Sequence, residues 1–469
     1  MEEIKLNLTL DDLQNYKHIH LIGIGGISMS AIAETLKNWN FTVTGSDASH
    51  SELTDRLNAH NIKVTIGHDT EEAKKADLII YSAAISETDP EMITAKENNI
   101  PTIGRGEFVG LLTKKYKETI CVSGTHGKTT TTSMISICFI DAQYDPTIQV
   151  GAILENIGGN YVVGNSEYFI LESCEYKGNF LKFFPNTEII LNIDNDHLDY
   201  YKTFDNVVKA FKDFSKILDK NGLLVTNADD ENCMKLEKVT KGKFISYGIN
   251  NPKSDFLAQN ISFDKNGFAS FDVYKYGNLL GHISLSVAGE HNILNSLACI
   301  ATCDYYGIDI ESIAKSLKSF KGASRRLEYK GEFKNCAIFD DYAHHPTEIE
   351  ATAKAITNKQ YNESWVVFQP HTYSRTKEHL EAFANALLTF DHILVLDIYA
   401  AREKNTFEIS SEDLVNKINS ISDKNALYMP GFYDVLEHLK ENINKNDIII
   451  TLGAGTVTEI GPMLLDYLK

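Results

Sequence analysis

"TICVSGTHGKTTTTSM", residues 119–134, is a short apolar run, a glycine-bearing turn, a lysine and then four consecutive threonines. Four β-branched residues open an ordinary helix poorly, because each loses χ1 freedom against the turn before it. The order strand, glycine turn, lysine, helix is instead the context of a phosphate-binding loop. In such a loop the backbone N–H groups of Gly124, Thr125, His126 and Gly127 wrap the phosphates. Lys128 neutralises the β/γ oxygens, and the Thr129 hydroxyl ligates Mg²⁺. The full pattern asks for glycine at 122, where Val122 stands. The bland alternative is a glycine turn followed by a surface lysine. The run from Thr129 and Thr130 onward is expected to present its hydroxyls to phosphate or metal at a helix amino terminus, where N–H groups lack intrahelical acceptors.

Strand and helix patterns alternate on both sides of this stretch. "HIHLIG" (18–23), "FTVTGSD" and "ADLIIYSAA" (76–84) read as strands, and "ISMSAIAETLKNW" between the first two reads as a helix. Beyond the loop, "EYFILES" and "TEIILNID" are strands, 260–288 reads as small antiparallel strands, and "HNILNSLACIATCDYYG" is a helix. "CAIFDD", "SWVVFQP", "HILVLDIYA" and "DIIITLGAG" continue the alternation. The lysine-rich "TKKYKET" (113–119) reads as a linker and "FKGASRRLEYKG" (320–331) as a second joint. The expected fold class is α/β in three domains: Rossmann-like over 1–116, P-loop ATPase-like with a mixed sheet over 117–321, and Rossmann-like over 322–469.

At 469 residues the chain exceeds one domain of ~150 residues about threefold. Lysine plus arginine (45) against aspartate plus glutamate (64) leaves −19, which argues against a nucleic-acid or anionic-membrane surface. Phosphate must therefore be held by local devices. The seven scattered cysteines contain no CxxC and read as thiols of a reducing compartment, Cys299 and Cys303 as an apolar helix face. "MEEIKLNLTLDDLQ" is acidic and polar, unlike a signal peptide, and no apolar run approaches the ~18 residues of a membrane span. A cytoplasmic protein without membrane insertion is expected.

Other segments add chemistry. Gly23-Ile24-Gly25-Gly26-Ile27-Ser28 nearly makes the dinucleotide turn, with Ser28 in place of the third glycine. Asp47 closes the next strand, where a ribose-binding acid belongs. That pattern admits a nucleotide diphosphate, a nicotinamide cofactor or a bare tight turn. Glu172 ends one strand, and Asp194, Asp196 and His197 follow another. Ligands of open α/β sheets bind beyond such strand ends, and these side chains suit one or two Mg²⁺. Asn292 and Asn295, beside His291, share a helix face and could bond an adenine edge or be satisfied amides in a core. Arg325 and Arg326, Asp340 and Asp341, His344 and His345, and His371 and Arg375 are left open by composition.

Together "SGTHGKTTTTSM", "NIDNDHLD", "GEHNILNSLA" and "DDYAHHPTEI" resemble the ordered motifs of the Mur ligases, ATP-dependent amino-acid-adding enzymes of peptidoglycan synthesis. The resemblance runs from Gly23 to Gly455. "HLIGIGGISMSAIAE", His344-His345 before Pro346, and "FQPHTYSRT" are most similar to the branch that joins L-alanine to UDP-N-acetylmuramate. A sister branch, which attaches a recycled tripeptide, shares all but the last segment. The resemblance implies that Lys128 and Thr129 hold ATP and Mg²⁺, with Glu172 and His197 as metal ligands. It implies adenine contacts from His291, Asn292 and Asn295, and nucleotide contacts from Arg326, Asp341 and His344. Arg375 would help hold the incoming amino acid. Gly23, Gly25, Gly26, Ser46, Asp47, His68 and Ser82 would bind the uridine diphosphate. Many relatives read Glu-Ala-Asp-Glu where this chain reads Glu172-Ser173-Cys174-Glu175, and no carbamylated-lysine role is given to Lys209 or Lys212. A nicotinamide oxidoreductase, or a non-catalytic ATP-binding regulator, would leave the GKT loop or the metal ligands unexplained.

Overall fold

The computed structural model describes residues 9, 11–264, 267–357, 359, 361–401, 403–423 and 425–466. Most of the polar opening segment read above as a non-signal start therefore lies outside the described residues. Among the described residues no helix is long and apolar enough to cross a membrane. The chain packs as two compact units, Met1–Leu257 with Lys275–Gly277 and Leu297–Ile313, and Ala258–Tyr274 with Asn278–Ser296 and Ala314–Lys469.

The first unit carries two sheets. One is five-stranded and parallel, in the order Lys63–Ile66, Thr42–Asp47, His18–Ile22, Leu78–Tyr81, Thr102–Gly104. The order reverses beside His18–Ile22, so the first glycine turn leaves the sheet at its switch point. The other is ten-stranded, and seven of its strands form the run Lys243–Gly248, Leu223–Asn227, Thr187–Ile190, Glu118–Ser123, Tyr168–Glu172, Thr147–Leu154, Gly159–Val162. That run is parallel except for its last pair. Glu118–Ser123 lies between Thr187–Ile190 and Tyr168–Glu172, which brings the phosphate loop, Glu172 and the residues after Ile190 to one edge. Ile120, Val122, Ile170, Ile189 and Ile190 are all but fully buried, each worth roughly 1.5–3 kcal/mol of apolar transfer.

The expected linker at 113–119 is largely regular structure. The helix Arg105–Lys115 and the strand Glu118–Ser123 leave only Tyr116 and Lys117 between them. Lysines suit a helix carboxyl end because they complement its dipole. Here they also cover rings: Lys115 Nζ stands 3.2 Å from the Trp39 ring centroid and Lys114 Nζ 4.0 Å from that of Phe184. A linker composition was in fact a capped helix end.

In the second unit a six-stranded sheet has the order Glu328–Phe333, Cys336–Asp341, Ile448–Leu452, Ser364–Phe368, His392–Val395, Leu427–Tyr428. Only its first pair is antiparallel. Of the second joint expected at 320–331, residues 320–327 lie between the helix Ile310–Ser319 and the first of these strands and 328–331 belong to that strand, all within the second unit.

One core residue of the first unit is out of character. Glu188, in the strand Thr187–Ile190, is fully buried, and burial pushes its carboxyl well above the usual range. The folded chain therefore keeps a proton that the unfolded chain gives up, so stability falls as pH rises above the unfolded pKa of ~4.3. Glu188→Gln removes that slope. Its stability relative to wild type should rise from about pH 5 to about pH 8, at up to ~1.4 kcal/mol per unit, in urea titrations at several pH values. Parallel curves would show that Glu188 carries no such penalty.

Candidate active site

The loop after Ser123 takes its shape from glycine and from the neighbouring strand end. Gly124 has φ 131° and Gly127 φ 84°, both in the left-handed region that favours glycine. A Cβ at Gly124 would also stand 3.0 Å from Leu191 N. The His126 N–H donates to Asn192 Oδ1 at 2.8 Å, and the Asp194 N–H donates to Thr125 Oγ1 at 2.9 Å. His126 Nε2 lies 3.1 Å from Asp194 Oδ2. The strand-end segment 192–194 thus holds the loop open as a cradle.

Lys128 opens the helix Lys128–Asp141 and folds back over the loop. Its ammonium donates to Gly124 O at 2.5 Å and Thr125 O at 2.9 Å, and sits 3.1–3.2 Å from both carboxylate oxygens of Glu175. Burial alone would lower its pKa. The Glu175 carboxylate, followed by Cys174 and Glu172, outweighs burial and holds Lys128 above the usual lysine range, so it is charged at any working pH. Burial pushes the neighbouring Cys174 thiol up to about 11 despite Lys128, which leaves it protonated.

Beside the lysine, Thr129 Oγ1 donates to Glu172 Oε2 at 2.9 Å, and the same oxygen accepts the Gly151 N–H at 2.8 Å. His197 sits in a left-handed conformation, φ 57°, with its ring against Tyr176. Its Nε2 lies 3.8 Å from Glu175 Oε1 and 3.7 Å from Asp196 Oδ2. Hydroxyl, carboxylate and imidazole are donors suited to a hard divalent ion keeping several waters; Thr129 and Glu172 touch directly, whereas His197 stands beside Glu175 and Asp196. Thr129, Glu172 and His197, expected as metal ligands, thus share the strand-end edge with Lys128.

The threonine run splits its duties. Only Thr129 reaches the Glu172 carboxylate. Thr132 Oγ1 turns back to Lys128 O at 2.8 Å, and Ser133 and Ser136 bond the carbonyls of Thr129 and Thr132 in the same way. Thr130, Thr131 and Thr132 are buried. The row of hydroxyls expected to face phosphate is therefore a correction beyond the first turn. Buried against the sheet, Thr132, Ser133 and Ser136 satisfy themselves on the helix's own carbonyls, while Thr131 Oγ1 is buried without a hydrogen-bond partner among the described residues.

At the first glycine turn, Gly25 N–H donates to Asp47 Oδ2 at 2.8 Å, and a Cβ on Gly25 would stand 2.9 Å from that oxygen. Gly23, with φ 79°, faces Ser82, and Gly26 precedes the helix Ile27–Asn38. Ser28, where the dinucleotide pattern has its third glycine, accepts a bond from Gln149 Nε2 at 2.7 Å, while Asn160 Nδ2 donates to Ile27 O at 2.8 Å. Beneath lies a polar cluster that joins the expected Ser46 and His68 to Glu91, which is not among the expected residues. The fully buried Glu91 accepts from His20 Nε2 at 2.9 Å, Ser46 Oγ at 2.7 Å and the Asp69 N–H at 3.2 Å, and lies 3.4 Å from His68 Nδ1. Burial would raise its pKa, but His20 and Ser46 outweigh it and keep Glu91 ionised. Ser46 and His68 are thus held by one carboxylate.

In the second unit Asn295 Nδ2 donates to Asn292 Oδ1 at 3.0 Å and Asn292 Nδ2 to Ala288 O at 2.7 Å; both side chains are buried, and His291 at the head of the helix is exposed. The arginine pair divides. Arg325 is structural, bonding Asp340 at 3.2 Å and Gly453 O at 2.5 Å. Arg326 lies over the Tyr342 ring and acts on Asp341. Burial lifts Asp341 to about 6 against the pull of Arg326, and its oxygens accept the N–H groups of Leu327 and Ala343. His344 Nδ1 lies 2.9 Å from Tyr342 O, and its ring packs edge-on against His371. Arg375 Nη1 lies 3.2 Å from His371 Nδ1. His344 and Arg375, 31 positions apart, are linked through the one ring of His371.

Three family models match in order: the Mur ligase family catalytic domain over residues 18–117, the Mur ligase middle domain over 122–303, and the Mur ligase glutamate ligase domain over 325–455. The chain belongs to the Mur ligase family. The UDP-N-acetylmuramate–L-alanine ligase of Acetivibrio thermocellus is 46% identical to it over 458 residues, 98% of this chain and 97% of the relative. The enzyme of the same name from Clostridium acetobutylicum is 46% identical over 456 residues, 97% and 99%. Among solved structures, the UDP-N-acetylmuramate–alanine ligase of Thermotoga maritima aligns with TM-score 0.83 and 28% identity over 97% of this chain and 99% of that one. A murein peptide ligase of Psychrobacter arcticus, TM-score 0.74 and 23% identity over 96% and 98%, shares the fold.

Sequence patterns did not single out a role for Glu175 or Glu91 in this Mur ligase. Glu175 had a local signal, three residues beyond a strand-end glutamate. Glu91 had none, since its bond to His20 spans 71 positions. The lysine supplies a testable case. Lys128→Ala should lower steady-state phosphate release by at least ~10²–10³-fold, the cost of removing one preorganised charge donor, with an unchanged far-ultraviolet circular dichroism spectrum. A folded variant with near-normal turnover would place phosphate binding elsewhere.

Proposed function

We infer that this Mur ligase joins L-alanine to the lactyl carboxylate of UDP-N-acetylmuramate in the cytoplasm, consuming ATP and releasing ADP and phosphate. The observation that carries the phosphoryl-transfer half is the Lys128 ammonium, clamped by Glu175 above a glycine loop, with Thr129 bonded to Glu172 beside it. Relatives of that name, 46% identical over nearly the whole chain, support the substrate pair. In the proposed division of labour residues 1–116 bind the uridine nucleotide through Gly23, Gly25, Gly26, Ser46, Asp47, His68 and Ser82. Residues 117–321 hold ATP, and 322–469 supply Arg326, Asp341, His344 and Arg375.

The muramate carboxylate oxygen attacks the γ-phosphorus and the bond to the β-bridging oxygen breaks, giving an acyl phosphate and ADP. The neutral alanine amine then attacks the acyl carbon, phosphate departs, and the amine gives up a proton. Lys128 and the N–H groups of the loop stabilise charge on the transferring phosphoryl group, so positioning and electrostatics supply most of the rate. Thr129, Glu172 and His197 would hold Mg²⁺, which supplies further neutralisation of phosphate oxygens. Neither the nicotinamide reading nor the tripeptide-adding reading is favoured by the relatives.

Arg375, held at His371, presents the planar fork that grips a carboxylate in two places, which lysine does not reproduce. Phosphate release with UDP-N-acetylmuramate and ATP should therefore depend on L-alanine and not on the tripeptide. Arg375→Lys should raise the alanine KM at least ~10-fold, the scale of one lost charge-assisted bond, while the KM for ATP stays put. Robust ligation of the tripeptide would reverse the assignment.

A further inference from the structure

Cys138 lies on the helix Lys128–Asp141 that begins at the phosphate loop, and Cys299 and Cys303 lie one turn apart on the helix His291–Tyr305. The Sγ atoms are 3.7 Å apart for Cys138 and Cys299 and 3.8 Å for Cys299 and Cys303, and all three lie within 4.8 Å of one another. None is more than 1% exposed. The proposed chemistry uses none of them.

The spacing suits a shared central atom. Two sulfurs each ~2.3 Å from one tetrahedral centre stand about 3.8 Å apart, and a three-coordinate centre with a lone pair, being pyramidal, draws them together by only roughly a few tenths of an ångström. The surroundings select the atom's charge. Burial pushes the thiols of Cys299 and Cys303 far up, and the charged neighbour acting on Cys303 is Asp304, itself an anion. A divalent ion on three thiolates would carry net negative charge into apolar surroundings, which is costly, and structural zinc also asks for a fourth ligand. A trivalent metalloid hydroxide avoids both difficulties. As(OH)₃ plus three Cys–SH gives As(S–Cys)₃ plus three H₂O: three As–O bonds break, three As–S bonds form, and the thiol protons leave in water. No oxidation state changes, and the product is neutral and complete at three ligands.

We propose that Cys138, Cys299 and Cys303 form a capture site for a soft trivalent metalloid, with arsenite as its simplest form. The three cysteines belong to the first unit, and the site ties the helix Lys128–Asp141, which begins at Lys128, to the Leu297–Tyr305 part of the other helix. Because the thiols are buried, loading proceeds through local opening and is slow.

The test uses the full chain, freed of added thiol reductant and incubated with arsenite. Mass spectrometry should show one arsenic per chain with loss of three hydrogens, X-ray absorption should show three sulfur neighbours, and the melting temperature should rise. Cys138→Ser and Cys303→Ser should each abolish the adduct, while Cys174→Ser, at a less buried thiol, should retain it. No adduct, an arsenic shell that keeps oxygen, or an adduct surviving in Cys303→Ser would overturn the proposal. Should a serine variant fail to fold, the wild-type absorption spectrum decides alone.

Discussion

The site depends on one buried ion pair. Lys128 keeps 13% of its side chain exposed and Glu175 2%, so each charge is tolerable only because the other stands 3.1 Å away. Removing one partner from such a pair typically costs ~3–5 kcal/mol, because an uncompensated charge stays behind. The pair also fixes where the ammonium points. Without Glu175 the lysine would hold only the carbonyls of its own loop; with it, a charge sits over the cradle before any phosphate arrives. Such preorganisation costs no rearrangement at the moment of reaction.

The sheet explains why these groups meet. Glu118–Ser123 sits between Tyr168–Glu172 and Thr187–Ile190 in a parallel sheet, so Lys128, the Glu172 carboxylate and the His197 segment leave by the same edge. The same logic recurs at the first glycine turn, where one buried carboxylate, Glu91, ties together Ser46, His20 and the segment before Asp69. In both places a buried anion organises polar groups above it. One holds a cation and the other holds hydroxyl, imidazole and backbone donors.

What the sequence disclosed follows from the range of the interactions. Strands, helices and the glycine turn before Lys128 are local patterns of hydrophobic period and turn chemistry, which is why most of them are legible in the sequence. The lysines of 113–119 misled because a basic run reads alike in a linker and in the last turn of a helix; only Trp39 and Phe184, distant in sequence, distinguish the two. The threonine run misled in the opposite sense, since a β-branched hydroxyl can serve a ligand or its own helix, and burial selects the helix for Thr132. Arg325 and Arg326 both lie over the Tyr342 ring yet keep different partners, Arg325 bonding Asp340 and Gly453 O while Arg326 acts on Asp341.

The central claim is that Lys128 is held ready by Glu175 and moves only its other bonds when nucleotide binds. A crystal structure with a non-hydrolysable ATP analogue and Mg²⁺ tests it most directly. The account predicts Lys128 Nζ released from Gly124 O and Thr125 O onto the phosphates, still paired with Glu175, with the metal touching Thr129 and Glu172. Phosphates bound elsewhere, with Lys128 still on its two carbonyls, would contradict it.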